Sequence, residues 1–191
     1  MLNSGLTTET WGNISARDAE SGLIYLTPSG MRYDMINEDD VIVTDENGTV
    51  VEGTRKPTIE KDLHLGIYKH RKDINAIIHT HPIYSRVFAA LREDIPPVID
   101  EAVQVMGGTV RCARYGLPGS VELSNNCVDA LKDAGFACLL ANHGAVCIGR
   151  DMSMAFKVST VLEMTARIYL LARSIGKPVL FNEKETAFIH D

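Results

Sequence analysis

A single mixed α/β domain is the fold class this sequence predicts, and three observations predict it. Short β-branched or apolar runs alternate with amphipathic stretches along the whole chain, and no Pro/Gly/Ser-rich linker interrupts them. A length of 191 residues suits one domain spanning 1–191, with room for a proper core. The longest helical pattern, from about Met152 to Ser174, stops at Gly176-Lys177-Pro178, a strong C-terminal signal.

The elements follow in order. Ile14 to Ala16, Gly22 to Thr27, Val41 to Thr44 and Thr49 to Val51 read as short strands, parted by turn signals such as Glu46-Asn47-Gly48. A helix is predicted from Thr58 to about Lys72. Thr58 caps it after Pro57, and Ile59, Leu63 and Ile67 form a stripe at i, i+4. The apolar run Asn75 to His79 is a strand, followed by a helix from Pro82 to about Arg92 with proline in its first turn. Thr109 to Ala113 is a strand, and Ser120 opens a helix that ends near Gly135. Ala137 to Ala141 and Ala145 to Ile148 are apolar strands flanking the turn Asn142-His143-Gly144.

Composition narrows the function classes. A net charge of -6 argues against a general nucleic-acid surface, so an anionic substrate needs a local pocket. No apolar stretch reaches the roughly 18 residues of a membrane helix, and no signal-peptide pattern opens the chain. Cys112, Cys127, Cys138 and Cys147 lack C-x-x-C spacing and read as reduced residues of a cytoplasmic protein. Trp11 and the stripe Phe156, Leu162, Ile168, Leu171 read as packing, and His70 and His190 as surface residues.

Chemistry gathers at Ile77-Ile78-His79-Thr80-His81-Pro82. Side chains two apart on a strand share a face, so both imidazoles can reach one metal ion. The bland alternative is two polar residues leaving a sheet edge. His143 adds a third imidazole, and three histidines make a catalytic zinc arrangement with an open position. Glu60 completes the set as fourth ligand or base, although a carboxylate there also suits a helix N-terminus.

Taken together, Gly12-Asn13-Ile14-Ser15, Thr27-Pro28-Ser29-Gly30, Glu60 with His64 and Tyr68, His79-Thr80-His81, Gly107-Gly108 and Asn142-His143-Gly144 resemble the class II aldolase/adducin family, in order and over nearly the whole chain. The resemblance implies a three-layer α/β/α sandwich around a mixed, largely antiparallel sheet. It implies a zinc-dependent aldolase that reversibly cleaves a ketose 1-phosphate, such as L-fuculose 1-phosphate, to dihydroxyacetone phosphate and a short aldehyde. His79, His81 and His143 are then the ligands of one Zn2+, and Glu60 is a ligand at rest and the base in turnover. Gly12, Asn13, Ser29, Gly30 and Thr58 hold the phosphate, which suits backbone N–H groups and short hydroxyls near a helix start; turn chemistry alone also explains the glycine elements. The implied assembly is a homotetramer with sites between subunits. No nucleic-acid or membrane partner is implied.

The chain departs from the family pattern in three places. Ile59 stands where a second hydroxyl precedes the acid. Between Ile95-Pro96 and Gly107-Gly108, where the fuculose-phosphate enzymes carry a tyrosine acid, counting lands on Asp100 or Glu101; Glu101 is the favoured second acid/base, acting from a neighbouring chain. The usual N-terminal helix and the C-terminal tail with its tyrosine are expected to be missing. A carboxylate in place of the tyrosine keeps open a pentulose-phosphate 4-epimerase or a (methylthio)ribulose-phosphate dehydratase. A non-catalytic adducin-like module and an unrelated zinc hydrolase are the remaining alternatives.

Overall fold

The computed structural model describes residues 1–132 and 135–190. Eight strands form one sheet: β1 (Asn13–Arg17), β2 (Ile24–Leu26), β3 (Ile42–Thr44), β4 (Val50–Glu52), β5 (Ala76–Thr80), β6 (Arg111–Ala113), β7 (Ala137–Leu140) and β8 (Gly144–Gly149). Their order is β4-β3-β2-β1-β5-β8-β7-β6, and every pair except β6–β7 is antiparallel. The helices are α1 (Lys61–His70), α2 (Ile83–Leu91), α3 (Asp100–Met106), α4 (Val121–Leu131), α5 (Met152–Ile175) and α6 (Glu183–His190).

The alternation of side chains along each strand builds the layers. Ile77, Cys138, Leu140, Val146 and Ile148 face α1 and α4, where Leu63, Ile67, Leu123 and Cys127 bury against them. Their neighbours Leu139, Ala145 and Cys147 face α2, α3 and α5, meeting Phe88, Ala102, Val158 and Leu162. The result is helices on both faces of a mixed, largely antiparallel sheet, as expected. The alternation also aims the site. Ile77 faces α1, so His79 and His81 continue on that face, toward the start of the same helix.

Several local details differ from the sequence reading. The Thr58 hydroxyl accepts the Glu60 N–H at 3.3 Å, so a turn precedes α1 and the helix begins at Lys61. Ile59 therefore leaves the stripe and is 60% exposed, while Leu63 and Ile67 are buried. Helices α3 and α6 carry no signal strong enough to have been expected. Helix α4 stops at Leu131; residues 133–134 lie outside the described ones, so the expected ending near Gly135 is seen only in part. The His190 side chain also lies outside them, and His70 is exposed. Leu162 is buried, whereas Phe156, Ile168 and Leu171 lie on the exposed side of α5.

Helix α2 starts directly after His81, and its open N–H groups are met from α5. Glu163 accepts from the Tyr84 and Ser85 N–H groups at 2.8 Å each and from the Ser85 hydroxyl at 2.7 Å. The four cysteines are free thiols, with the buried Cys127 and Cys138 sulfurs 3.4 Å apart. Among the described residues no helix is long and apolar enough to cross a membrane.

Candidate metal and substrate site

His79 lies in β5, paired with Asn13 of β1 on one side and Val146 of β8 on the other. His81 follows just past the strand end. His143 sits in the short connection between β7 and β8, which turns because Asn142 adopts φ 56°, a conformation asparagine tolerates. The Asn142 N–H donates to the Ala89 carbonyl at 2.8 Å, its side-chain oxygen accepts from Arg92 Nε at 2.9 Å, and the His143 N–H donates to the Leu140 carbonyl at 3.0 Å. Two glycines make room. A Cβ on Gly144 would run into the Thr80 carbonyl and come within 2.9 Å of His81 Cδ2 and 3.1 Å of His79 Cε1. Gly12, at φ 83°, has its missing Cβ aimed at the His79 carbonyl.

The three imidazoles converge. Ring centroids lie 4.8 Å apart for His79–His81, 4.8 Å for His79–His143 and 5.0 Å for His81–His143. One nitrogen from each lies within 4.8 Å of the others. Glu60 Oε2 is 3.2 Å from His79 Nε2, and Oε1 is 3.5 Å from His143 Nε2.

This arrangement fits a divalent cation on its own chemistry. His79 Nδ1 lies 2.9 Å from the Ala145 carbonyl, which accepts its N–H, so neutral His79 presents a lone pair at Nε2. That nitrogen stands 3.0 Å from His81 Nε2. Glu60 Oε1 and His143 Nδ1 are buried with no hydrogen-bond partner among the described residues. A tetrahedral zinc with bonds of about 2.0–2.1 Å separates its ligand atoms by about 3.3 Å, comparable to these spacings. Burial, then repulsion from His79 whenever that ring is also protonated, pushes His81 down to about 3 and His143 down to about 4, so both are in the neutral, ligating form near pH 7. Burial pushes the Glu60 carboxyl up, but His79, Asn13 and His143 together outweigh it and hold the group well below the usual carboxylate range.

A cavity of about 220 Å³ opens onto this cluster and is lined by Gly12, Asn13, Ser29, Gly30 and Thr58 with Glu60, His81 and His143. The loop through Ser29 is pinned beside Glu60, because Ser29 N–H donates to the Lys56 carbonyl at 2.9 Å and Thr58 N–H to the Thr27 carbonyl at 3.3 Å. The Ser29 N–H is thereby taken up, and its hydroxyl is its remaining donor. The Asn13 amide is also committed, donating to Glu60 Oε2 at 2.8 Å. No lysine or arginine lines the cavity among the described residues, so an anion there meets N–H groups, hydroxyls and the cation site.

Asp100 and Glu101 are not brought to this cluster within one chain; both lie exposed on the first turn of α3. Three features escaped the sequence reading. Trp11 does not pack away: it is 54% exposed, lines the cavity and stacks on His81 at 6.3 Å and 15°. The Tyr33 hydroxyl is buried without a partner, and burial, then the Glu60 charge, pushes its pKa up. Its only signal is its position three residues past Gly30. Ser15, two residues past Asn13, shares that residue's face and belongs to the same buried polar cluster.

Comparison with known proteins agrees with this architecture. The family model described as Class II Aldolase and Adducin N-terminal domain matches residues 1–170. A 5-deoxy-D-ribulose 1-phosphate aldolase of Bacillus thuringiensis serovar kurstaki is 40% identical over 185 residues, covering 97% of this chain and 86% of that one. An L-fuculose phosphate aldolase of Methanocaldococcus jannaschii is 37% identical over 166 residues, covering 87% of each. A solved L-fuculose 1-phosphate aldolase superposes with a TM-score of 0.95 at 40% identity, over 98% of this chain and 88% of that one. The chain belongs to the class II aldolase/adducin family, as an aldehyde-lyase of its aldolase branch.

Proposed function

We propose that this chain cleaves a ketose 1-phosphate reversibly to dihydroxyacetone phosphate and a short aldehyde, using one zinc ion held by His79, His81 and His143 with Glu60. The convergence of those four side chains, three of them lining a small cavity, carries the reading. When bound, the cation supplies Lewis-acid polarisation of the substrate carbonyl and neighbouring hydroxyl. The chain's own residues do the rest. Gly12, Ser29, Gly30 and Thr58 offer N–H groups and hydroxyls to the phosphate, and Asn13 has one amide hydrogen left after its bond to Glu60. In cleavage Glu60 first takes a proton from a substrate hydroxyl and returns it to the carbon beside the carbonyl once the carbon–carbon bond has broken; in condensation it removes that carbon-bound proton and gives it back to oxygen.

A second group must take the proton of the hydroxyl that becomes the aldehyde. Glu101 fills that role from a neighbouring subunit of a homotetramer, since its own chain leaves it on the surface. The reduced cysteines suit a cytoplasmic setting. Trp11, Ile59 and Pro118 give the cavity an apolar rim, which favours an aldehyde ending in a methyl group. L-Fuculose 1-phosphate and 5-deoxy-D-ribulose 1-phosphate both release such aldehydes and are the first substrates to assay.

The test is the release of dihydroxyacetone phosphate and aldehyde in equal amounts, by wild type and by His79→Ala. Loss of zinc and turnover together in the variant supports the reading. Full activity of a thoroughly chelated protein contradicts it. Formation of an epimer, or loss of water, without aldehyde would move the chain to another reaction on the same scaffold.

A further inference from the structure

Behind Glu60 runs a buried chain of polar side chains, of which the proposed chemistry uses only Asn13. Asn13 Nδ2 lies 2.8 Å from Glu60 Oε2, and Asn13 Oδ1 lies 2.6 Å from His64 Nε2. His64 Nδ1 lies 2.6 Å from Ser15 Oγ, which lies 2.9 Å from the Tyr68 hydroxyl. Asn13, Ser15, His64 and Tyr68 are all 5% exposed or less. Polar groups so deep in a core require partners, and each of these has one.

The donors can be arranged in one direction only. An ionised carboxylate only accepts, so Asn13 must turn its NH2 group to Glu60. Its oxygen then faces His64, which must donate from Nε2. A neutral imidazole has one N–H, so His64 Nδ1 accepts from the Ser15 hydroxyl. Ser15 in turn accepts from Tyr68. Every hydrogen in the series Tyr68, Ser15, His64, Asn13 points toward Glu60. Were the Asn13 amide turned over, His64 could accept its NH2 in the other tautomer, but its oxygen would sit against the ionised carboxylate. A repulsive contact at Glu60 would then replace a hydrogen bond.

This order divides the labour of the two carboxylate oxygens. Oε2 is pinned by Asn13, whereas Oε1 is buried with no hydrogen-bond partner among the described residues. We propose that His64, acting through Asn13, is a positioning residue that fixes Oε2 and leaves Oε1 as the oxygen that exchanges a proton with substrate; this deepens the aldolase reading and rests on it. His64 touches neither substrate nor cation. Its value is geometric, because a small misplacement of a catalytic base costs a large factor in rate.

Two measurements on the full-length, zinc-loaded protein test this. Nitrogen NMR of the histidine rings reads the tautomer without any reaction: a protonated Nε2 and bare Nδ1 on His64 are expected, and the opposite tautomer overturns the proposal. The second follows solvent deuterium entering dihydroxyacetone phosphate, a proton transfer that needs no aldehyde. His64→Leu fills the space but cannot donate. It should lower the exchange kcat about tenfold or more, with KM within about threefold and zinc content unchanged. His64→Gln, whose amide can donate to Asn13, should recover most of the rate. Wild-type exchange in His64→Leu overturns the proposal, as does a loss that His64→Gln fails to rescue. Should His64→Leu not fold, Asn13→Asp removes the donor at nearly constant shape, and undiminished exchange there overturns the proposal equally. Wild type that neither exchanges nor cleaves defeats the aldolase reading, while the tautomer still decides the hydrogen-bond order.

Discussion

Gly144 shows how tightly the cluster constrains single positions. Its missing Cβ would strike the Thr80 carbonyl and crowd both His79 and His81, and β8 has no slack because Ala145 is paired with Thr80. Gly144→Ala is expected to cost about 1–3 kcal/mol by overpacking and to weaken zinc retention, checked by denaturant unfolding and metal content. Glu60→Gln tests a different quality of the site. It keeps the shape and the metal-facing oxygen but removes the base, so turnover should fall by about 10²–10⁴ with the fold intact. A variant turning over at the wild-type rate would remove Glu60 from the chemistry. Both positions were visible in the sequence, Glu60 through its place before the His79-Thr80-His81 strand and Gly144 through the Asn142-His143-Gly144 turn. Tyr33 was not, since a tyrosine in a short irregular segment is indistinguishable from a surface residue until the fold buries its hydroxyl beside Glu60.

Strand β5 and helix α2 form the hinge on which the cluster depends. Period-two alternation made β5 legible, because a run of apolar residues ending in His-Thr-His fixes both the strand and the shared face. The anchoring of α2 was not legible. Glu163 lies about eighty residues away, yet its carboxylate takes two backbone N–H groups and a hydroxyl at the helix start. Glu163→Ala should destabilise the protein by about 1–3 kcal/mol, read as a shift in the urea midpoint at constant m. An unchanged midpoint would mean that water satisfies those groups as well. The start of α1 was misplaced for a related reason. Thr58 is a good capping residue, but its hydroxyl holds the Glu60 N–H in a turn before the helix begins, which rotates Ile59 out to the cavity rim. Helix α3 has only seven residues, and burial of Ala102, Val103 and Met106 holds it rather than any local pattern.

Strand order was beyond reach of the sequence. Placing β1 beside β5, and β5 beside β8, joins segments some sixty to seventy residues apart, and local periodicity carries no trace of such pairings. The alternation of elements was enough for the class, and the family resemblance for the layers. Only the assembled sheet shows why three histidines from two separate strand ends meet. That assembly leaves a mark on stability against pH. In the metal-free chain His64 and His81 are pushed down to about 3 and His143 to about 4, in each case by burial first and then by His79. Free imidazoles titrate near 6.5, so between about 6.5 and 4 the unfolded chain binds more protons than the folded one. Stability is therefore complete above about pH 6.5 and falls as the solution is acidified, by up to about 1.4 kcal/mol per pH unit from the fully buried His64 alone. Apo protein equally stable at pH 7 and pH 4.5 would contradict this. Zinc should move the onset of loss to lower pH, since it binds only the folded, deprotonated cluster. The most direct test of the cation site is anomalous diffraction at the zinc edge from crystals of the loaded protein. A single peak about 2.0–2.1 Å from a nitrogen each of His79, His81 and His143 is the expected result. A peak elsewhere, or none at full zinc loading, would contradict it.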